Sequence, residues 1–397
     1  MRFFCLFAAA LSCAGAGASR SSAGAGSAAV QSSGSGSVSG SVSDGAAAPG
    51  APEGAGAAAP GAGFKRYQVE NTTVQVGGFI NPSKQTVRPG PSIQRPPAER
   101  AVPDCSRSVL ALQASVFYPK DADALPKPGD ETFPVIAFGH GWGVDGPYVG
   151  PSYSKLLTTI ASFGFIIIAP ESCSENIYCT TFDQDLYRAL DFAKNASTPG
   201  SINGTVPRTP WRHADVSRLG IAGHSMGGDA AAISAGMSVD RKRHNISAVV
   251  ALNPGCMFDG IPVGADVHTP IMYTTGAEDT VVLPEVVWTT FLSTHFKPRV
   301  FANTLHGSHF ETVSAAAPFA PSFAAGLTTF DAAAQMNECE PLLGSKCHVI
   351  DPWAAFFLLC HINGDGDACE LIYSKSKDSL CHGGAGPMFP GGCVTVK

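Results

Sequence analysis

The sequence is most tightly constrained where one serine stands between two glycines, in the run Gly223-His224-Ser225-Met226-Gly227. Residues 217–222 before it are apolar and β-prone, and residues 229–237 after it are rich in Ala and Ile, which predicts a buried helix. A strand that enters G-x-S-x-G and leaves as a helix makes a turn too tight for side chains at both flanks. The pattern therefore predicts that Ser225 sits above the end of a strand, where a base can reach its hydroxyl group.

Strand-like and helix-like patterns alternate along residues 64–397, which we interpret as one domain. Period-two alternation and short β-branched runs predict strands at 67–76, 108–118, 133–138, 165–169, 217–222, 248–252, 271–275 and 299–304. Helical spacing predicts helices at 152–163, 182–193, 229–237, 284–295 and 351–361. This alternation indicates an α/β fold with a mostly parallel central sheet and helices on both faces.

Two further side chains complete a candidate catalytic site with Ser225. A serine hydroxyl becomes an effective nucleophile when a histidine accepts its proton, and a carboxylate holds that histidine in the required tautomer. Asp279 follows the predicted strand at 271–275, and His309 follows the one at 299–304. Both residues should therefore lie at the sheet edge that carries Ser225, in the chain order Ser, acid, His that α/β-hydrolases use.

Neighbouring side chains offer alternatives for two of these roles. Glu278 is the alternative acid and His306 the alternative base, each within a turn of the favoured residue. His224 inside the turn is predicted to be a packed, hydrogen-bonded neighbour rather than a base. His140 is predicted to be part of the scaffold of the loop that follows the strand at 133–138.

Backbone N–H groups beside the nucleophile can stabilise the negative charge that develops on an ester oxygen. Met226 opens the predicted helix after Ser225, so its N–H should point at that oxygen. The loop Gly139-His140-Gly141-Trp142-Gly143 follows a predicted strand, and counting from its His-Gly pair favours the Trp142 N–H as second donor. The Trp142 indole and Tyr148 are predicted to contact the substrate. The alternative for Trp142 is a side chain that only plugs the domain surface.

The N-terminal part of the chain predicts export. Residues 1–18 combine a basic residue, an apolar run and small residues, as a secretory signal peptide does. Residues 19–63 are almost entirely Ala, Gly, Ser and Pro, which predicts a flexible low-complexity linker. The net charge of −6, without a basic cluster, argues against a nucleic-acid partner. No second apolar stretch is long enough to span a membrane, so we expect a secreted monomer without a transmembrane segment.

The cysteines and the glycosylation motifs agree with export. Of 12 cysteines, two lie in the predicted signal peptide, and the even number that is left predicts disulfides in an oxidising compartment. Zinc is disfavoured because the sequence has no paired C-x-x-C motif. Spacing makes candidate local pairs of Cys173 with Cys179, Cys339 with Cys347, and Cys360 with Cys369. N-glycosylation motifs begin at Asn71, Asn195, Asn203 and Asn245.

Several of these segments together resemble a known family. The runs Gly139-His140-Gly141-Trp142 and Gly223-His224-Ser225-Met226-Gly227-Gly228, with residues 157–165 and the segments around Asp279 and His309, are similar to the secreted cutinases and polyester (PET) hydrolases. They are almost as similar to the chlorophyllases, a related group. Two positions depart from plant chlorophyllases, because Met226 stands where those usually have Arg, and Asn253-Pro254 occupies the loop that carries their preferred acid.

This resemblance implies an α/β-hydrolase fold, carboxylic ester substrates and no cofactor. It implies a triad of Ser225, Asp279 and His309, with Trp142 and Met226 in the oxyanion hole. It also implies a Cys381–Cys393 disulfide, which leaves Cys105 and Cys256 as a pair by elimination.

The resulting hypothesis is a secreted serine esterase of the cutinase or polyesterase type. A chlorophyllase-like esterase or lipase is the first alternative, and a non-catalytic binding protein on a hydrolase scaffold is the second. A peptidase or an acyltransferase on the same turn is a further alternative. The run Asn363-Gly364-Asp365-Gly366-Asp367 has oxygen ligands at alternate positions but lacks the Gly and Glu of an EF-hand loop, so it predicts a surface turn and no metal site.

Overall fold

The computed structural model describes most of the region in which the sequence predicts a domain. The described residues are 63–78, 111–123, 131–142, 144, 149–172, 182–198, 210–236, 244–255, 264, 267–304, 307–314, 350–374, 380 and 394–396. All of them lie in the unit Ala57–Lys397. The predicted signal peptide and the predicted linker up to residue 62 lie outside the described residues.

A nine-stranded sheet runs through the described part of the chain, in the order β1-β2-β4-β3-β5-β6-β7-β8-β9. Strands β3 to β8 pair in parallel, while β1, β2 and β9 pair antiparallel at the two ends of the sheet. The strands are β1 (Val69–Gly78), β2 (Ala111–Pro119), β3 (Phe133–Gly139), β4 (Ile166–Pro170), β5 (Ala214–His224), β6 (Ile246–Leu252), β7 (Ile271–Gly276), β8 (Arg299–Thr304) and β9 (Val394–Val396).

In the described part of the chain, helices lie between β3 and β4, β4 and β5, β5 and β6, and β7 and β8. The described helices are α1 (Val149–Ser152), α2 (Ser154–Ala161), α3 (Phe182–Ser197), α4 (Met226–Gly236), α5 (Pro284–Ser293), α6 (Asp351–Leu358) and α7 (Gly366–Tyr373). Short 3₁₀ segments lie at Lys120–Asp123 and Trp211–His213, and α6 continues into a π turn at Leu359–Asn363.

The sheet separates two apolar cores, because successive side chains of a strand point to opposite faces. Along β3, Val135 and Ala137 pack into one core, whereas Ile136 and Phe138 pack into the other. Helices α2 and α6 contribute to the Ile136 side, and α3, α4 and α5 contribute to the Val135 side. Apolar burial on both faces explains why the central strands read as near-continuous hydrophobic runs. The predicted α/β class, with a mostly parallel sheet covered on both faces, is confirmed.

The C-terminal part contains elements that the sequence patterns did not predict. After the π turn, Gly364 takes a left-handed φ of 68°, and the Asp365 carboxylate accepts a hydrogen bond from the N–H of Ala368 as N-cap of α7. The predicted turn at this point is therefore the junction of two helices. The predicted Cys360–Cys369 disulfide is confirmed and links the π turn to α7. The other predicted cysteine pairs lie outside the described residues.

Candidate active site

Ser225 occupies the tight turn between β5 and α4. Its φ of 54° lies in the left-handed region, which costs a non-glycine residue energy and is common at functional sites. The surrounding backbone holds this conformation, since the Ser225 N–H donates to the Leu252 carbonyl (2.9 Å) and the Ser225 carbonyl accepts from Asp229 N (3.1 Å). A Cβ at Gly223 would collide with the Gly227 carbonyl, so the turn excludes side chains as the sequence predicts.

His309 reaches Ser225 from the segment after β8. Its Nε2 lies 2.9 Å from the Ser225 hydroxyl oxygen. The segment is fixed against the turn after β7, because the N–H of Ala277 donates to the Thr304 carbonyl (2.8 Å) and that of Glu278 donates to the Gly307 carbonyl (2.9 Å). His309 is 2% exposed and Ser225 is 7% exposed, so bulk water has little access to the bond between them.

Asp279 completes the row of side chains. One carboxylate oxygen, Oδ2, accepts from His309 Nδ1 (2.8 Å), and the other, Oδ1, accepts from the N–H groups of Val281 (2.9 Å) and Val282 (2.8 Å). Because His309 Nδ1 donates to Asp279, Nε2 presents its lone pair to the serine hydroxyl. This is the tautomer that can accept the proton of Ser225.

The structure distinguishes the two adjacent acids. Asp279 is 2% exposed, whereas the side chain of Glu278 is exposed to solvent. Of these two acids, Asp279 is the one whose carboxylate accepts from His309 Nδ1 (2.8 Å). The alternative base, His306, lies outside the described residues.

Asn253 is part of this site, although the sequence analysis gave it no role there. It follows β6 with a left-handed φ of 43°, and its side-chain amide donates to Asp279 Oδ2 (3.1 Å) and less closely to the Ser308 carbonyl (3.4 Å). Asparagine is one of the few residues that tolerate this backbone conformation. The sequence does show that Asn253 follows a predicted strand at the same edge of the sheet. That position does not reveal which neighbouring group its side-chain amide contacts.

The loop after β3 lies beside the nucleophile. Gly141 is buried, and its N–H donates to the hydroxyl oxygen of Tyr153 (2.8 Å). The next residue, Trp142, is half-buried and packs against both core clusters. Tyr148, the other predicted substrate contact, lies outside the described residues.

Two further histidines near the site are packed neighbours, as their positions predict. His140 is buried, donates from Nδ1 to the Gly141 carbonyl (2.9 Å) and stands edge-on to the Phe182 ring. His224 is also buried, and burial together with the nearby His309 lowers its pKa to about 3. His224 is therefore neutral at ordinary pH.

A buried carboxyl group, which the sequence patterns missed, lies two residues beyond His309. Glu311 is fully buried, and this burial raises its pKa to about 8. Its Oε2 lies 2.6 Å from the Thr304 hydroxyl oxygen, which is also 3.2 Å from the Thr275 carbonyl. A threonine hydroxyl has one proton and a carbonyl can only accept, so a protonated Glu311 that donates to Thr304 satisfies both contacts.

Within the described ranges, no group of three His, Cys, Asp or Glu side chains is placed to hold a metal ion. The oxygen-rich run after the π turn uses its side chains otherwise, since Asn363 Oδ1 accepts from Arg218 (3.0 Å) and Asp365 caps α7. Among the described helices, none combines the length and apolarity that a membrane crossing requires.

Comparison with known proteins relates this chain to chlorophyllases. A family model described as Chlorophyllase matches residues 118–301. The chloroplastic chlorophyllase-1 proteins of Citrus sinensis and Citrus unshiu are each 28% identical over 179 residues, which is 42% of this chain and 50% of theirs. The chain thus spans about half the length of the curated relatives that it matches. These matches support a chlorophyllase-like protein with the α/β-hydrolase fold.

Proposed function

We propose that the chain is a secreted serine hydrolase that cleaves carboxylic esters. The observation that carries the proposal is the row Ser225–His309–Asp279, with 2.9 Å and 2.8 Å between successive polar atoms. Three segments far apart in the sequence supply this row, so local turn geometry does not account for it. Resemblance to chlorophyllases, whose name denotes enzymes, supports a hydrolase over a non-catalytic binding protein on the same scaffold.

The proposed reaction is a two-step acyl transfer. Ser225 attacks the ester carbonyl carbon while His309 takes the hydroxyl proton, and the collapse of the tetrahedral intermediate passes that proton to the leaving alcohol. Water then attacks the acyl-enzyme with His309 again as base, which releases the acid and restores the serine. Asp279 holds the imidazole in place and stabilises its protonated form. The reaction needs no cofactor.

The oxyanion is proposed to accept hydrogen bonds from the N–H groups of Met226 and Trp142. Met226 opens α4, where the first backbone donors have no partner within the helix. In the loop after β3, the Gly141 N–H already donates to Tyr153, so the next donor along the chain belongs to Trp142. Preorganised donors of this kind contribute about 2.7–4 kcal/mol each to a transition state.

The substrates are proposed to be soluble esters with short or medium acyl groups, as for cutinase-like enzymes. The Trp142 indole and Tyr148 are the proposed contacts for the acyl group. Half-buried Val281 and exposed Leu283, which follow Asp279, add apolar surface near the acid. The segment between β6 and β7 is too short for a long apolar lid, so we expect no activation at an oil–water interface.

A chlorophyllase-like specificity is the second candidate. It is favoured by the chlorophyllase match over residues 118–301, which includes Ser225 and Asp279. One position argues against this specificity, because Asn253, which is not an acid, occupies the loop that carries the preferred acid of plant chlorophyllases. Chlorophyll a therefore belongs in the same substrate panel as simple esters.

Secretion is proposed from the N-terminal sequence and agrees with two structural features. The Cys360–Cys369 disulfide suits an oxidising compartment. Three of the predicted glycosylation sites, Asn71, Asn195 and Asn245, have exposed side chains, and the fourth lies outside the described residues. The Citrus relatives are named chloroplastic, but the family match begins at residue 118 and so does not include the N-terminal segment in which the sequence predicts a signal peptide.

The proposal predicts that Ser225→Ala, His309→Ala and Asp279→Asn each lower ester turnover by about 10⁴-fold or more without unfolding the chain. Hydrolysis of p-nitrophenyl esters from acetyl to palmitoyl, a polyester film and chlorophyll a would be measured beside labelling by a fluorophosphonate. Glu278→Gln is the matched control and should retain turnover. Full activity of Asp279→Asn, or an unlabelled Ser225 in the wild type, would refute the proposed mechanism.

A further inference from the structure

We propose that Tyr153 and His224 are positioning residues that hold the oxyanion loop, the nucleophile turn and the segment of the base in one arrangement. This inference rests on the proposed esterase function, because it assigns these residues an effect on that reaction. They do not touch the reacting atoms; they act through the backbone of residues that do.

Tyr153 lies between the two short helices after the oxyanion loop, and its side chain is completely buried. Its hydroxyl oxygen accepts from the Gly141 N–H (2.8 Å) and lies 2.9 Å from His224 Nδ1. The ring packs edge-on against Phe138 at the end of β3, with 4.9 Å between centroids. Tyr153 therefore joins the oxyanion loop to the nucleophile turn.

His224 continues the connection to the base. Its Nε2 lies 2.7 Å from the carbonyl oxygen of His309. A carbonyl oxygen only accepts, so Nε2 carries the proton, Nδ1 is the acceptor, and the Tyr153 hydroxyl must donate to it. The direction of every hydrogen bond from Gly141 through Tyr153 and His224 to His309 is thus fixed. Neither ring can change its protonation at ordinary pH, because burial lowers the pKa of His224 and raises that of Tyr153.

A second connection reinforces the first. The residues on either side of Tyr153 bind Ser314, five positions beyond His309 in the sequence. The Ser314 N–H donates to the Ser152 carbonyl (2.7 Å), and the hydroxyl groups of Ser154 and Ser314 lie 3.2 Å apart. The α1–α2 junction is therefore bound to the segment of the base on both sides of the tyrosine.

The physical consequence concerns alignment. The oxyanion donors, Ser225 and His309 come from three connecting segments, and such segments vary in position more readily than the strands before them. A displacement of about 1 Å between reacting groups can cost about 10²-fold in rate. Loss of the Tyr153 hydroxyl would leave the Gly141 N–H and His224 Nδ1 buried without partners, and the loop and the turn would shift to satisfy them.

The test is Tyr153→Phe, with Tyr187→Phe as matched control. Tyr187 is also a buried tyrosine, and its hydroxyl donates to the Ser234 carbonyl (2.6 Å), a bond that joins α3 to α4 away from the site. For Tyr153→Phe we expect kcat on p-nitrophenyl acetate and the rate of fluorophosphonate labelling to fall by about 10-fold to 10²-fold, with KM within about twofold. For Tyr187→Phe both rates should stay within about twofold of wild type. Hydrogen exchange at the Gly141 amide should accelerate only in the first variant.

Two variants of His224 test its two hydrogen bonds separately, the one with Tyr153 and the one with the His309 carbonyl. They also serve as the test if the Tyr153→Phe chain does not fold. His224→Gln keeps a donor toward the His309 carbonyl, and His224→Asn keeps an acceptor toward Tyr153. Each should lower kcat while KM is retained, and only His224→Gln should accelerate exchange at Gly141.

Specific results would overturn the inference. One is an equal loss of kcat in Tyr153→Phe and Tyr187→Phe, and another is a loss that merely follows the folded fraction. Unchanged Gly141 exchange in Tyr153→Phe would also overturn it. If the wild-type chain cleaves no ester and resists labelling, the proposed function fails, whereas Gly141 exchange still decides whether Tyr153 holds the loop.

Discussion

At the scale of single residues, Glu311 connects the candidate site to the pH dependence of the fold. Its carboxyl group is fully buried beneath the segment of His309, and the nearby carboxylates of Asp351 and Asp279 add to the effect of burial on its pKa of about 8. In the unfolded chain the pKa of this carboxyl would return to its ordinary value of 4.5. Between these two values, the folded state holds a proton that the unfolded state has released.

Stability should therefore fall as the pH rises from about 4.5 to about 8, because the folded state binds more protons over this window. Glu311→Gln stays neutral and should remove this part of the pH dependence, which is on the order of a few kcal/mol. Denaturant unfolding of both chains at pH 5 and pH 8 measures the difference. Glu285→Gln, an exposed position on α5, is the control. Parallel pH profiles for wild type and Glu311→Gln would mean that Glu311 is ionised in the folded chain.

At the scale of elements, the turn between β5 and α4 decides where Ser225 points. Gly227 lies at the start of α4 against the end of β3, and a Cβ there would collide with the backbone of Gly139 and His140. Backbone atoms cannot rotate away as a flexible side chain can. The close approach of α4 to β3 therefore brings the oxyanion loop next to the nucleophile.

We expect Gly227→Ala to abolish ester turnover and to lower the unfolding temperature, because α4 must move away from β3. Gly366→Ala is the matched control, since a Cβ at this position in α7 meets no heavy atom within 4 Å in the described part of the chain. That substitution should be neutral or should stabilise the chain by about 0.4–1 kcal/mol. Circular dichroism melting and p-nitrophenyl acetate hydrolysis measure both effects. A fully active Gly227→Ala chain would contradict the close approach.

At the scale of the whole molecule, the parallel strands bring all the candidate residues to one edge of the sheet. The segments that carry them follow β3, β5, β6, β7 and β8, which run in the same direction. Cores on both faces hold these strands in register. The described site thus depends on the packed sheet, and the residues that form it all lie after residue 138.

We predict that a chain beginning at Gly63, exported by a foreign signal peptide, keeps its turnover and unfolding temperature. Residues 19–62 have too few apolar side chains to contribute to a core. The measurement compares kcat, KM and thermal unfolding of the full and the shortened chain. A loss of more than about twofold in kcat would give the low-complexity segment a role at the site, and a lower unfolding temperature would give it a role in the fold.

Much of this architecture follows from local patterns in the sequence. Hydrophobic periodicity depends only on neighbouring residues, and it located the eight main strands and the longer helices to within about four positions at each end. The positions of Ser225, Asp279 and His309 after three parallel strands implied that they meet. The structure brings them within hydrogen-bond distance, and their catalytic role stays a prediction.

The remaining features depend on which distant segments pack together. Residues 394–396 form β9 because they pair with β8, and three residues carry too little periodicity to reveal a strand. Tyr153 and His224 are 71 positions apart, and Asn253 and Asp279 are 26 apart. A hydrogen bond between such residues, or the burial of Glu311, leaves no pattern along the chain. These buried contacts arise only in the folded chain, because folding excludes water from polar groups that must then form hydrogen bonds with one another.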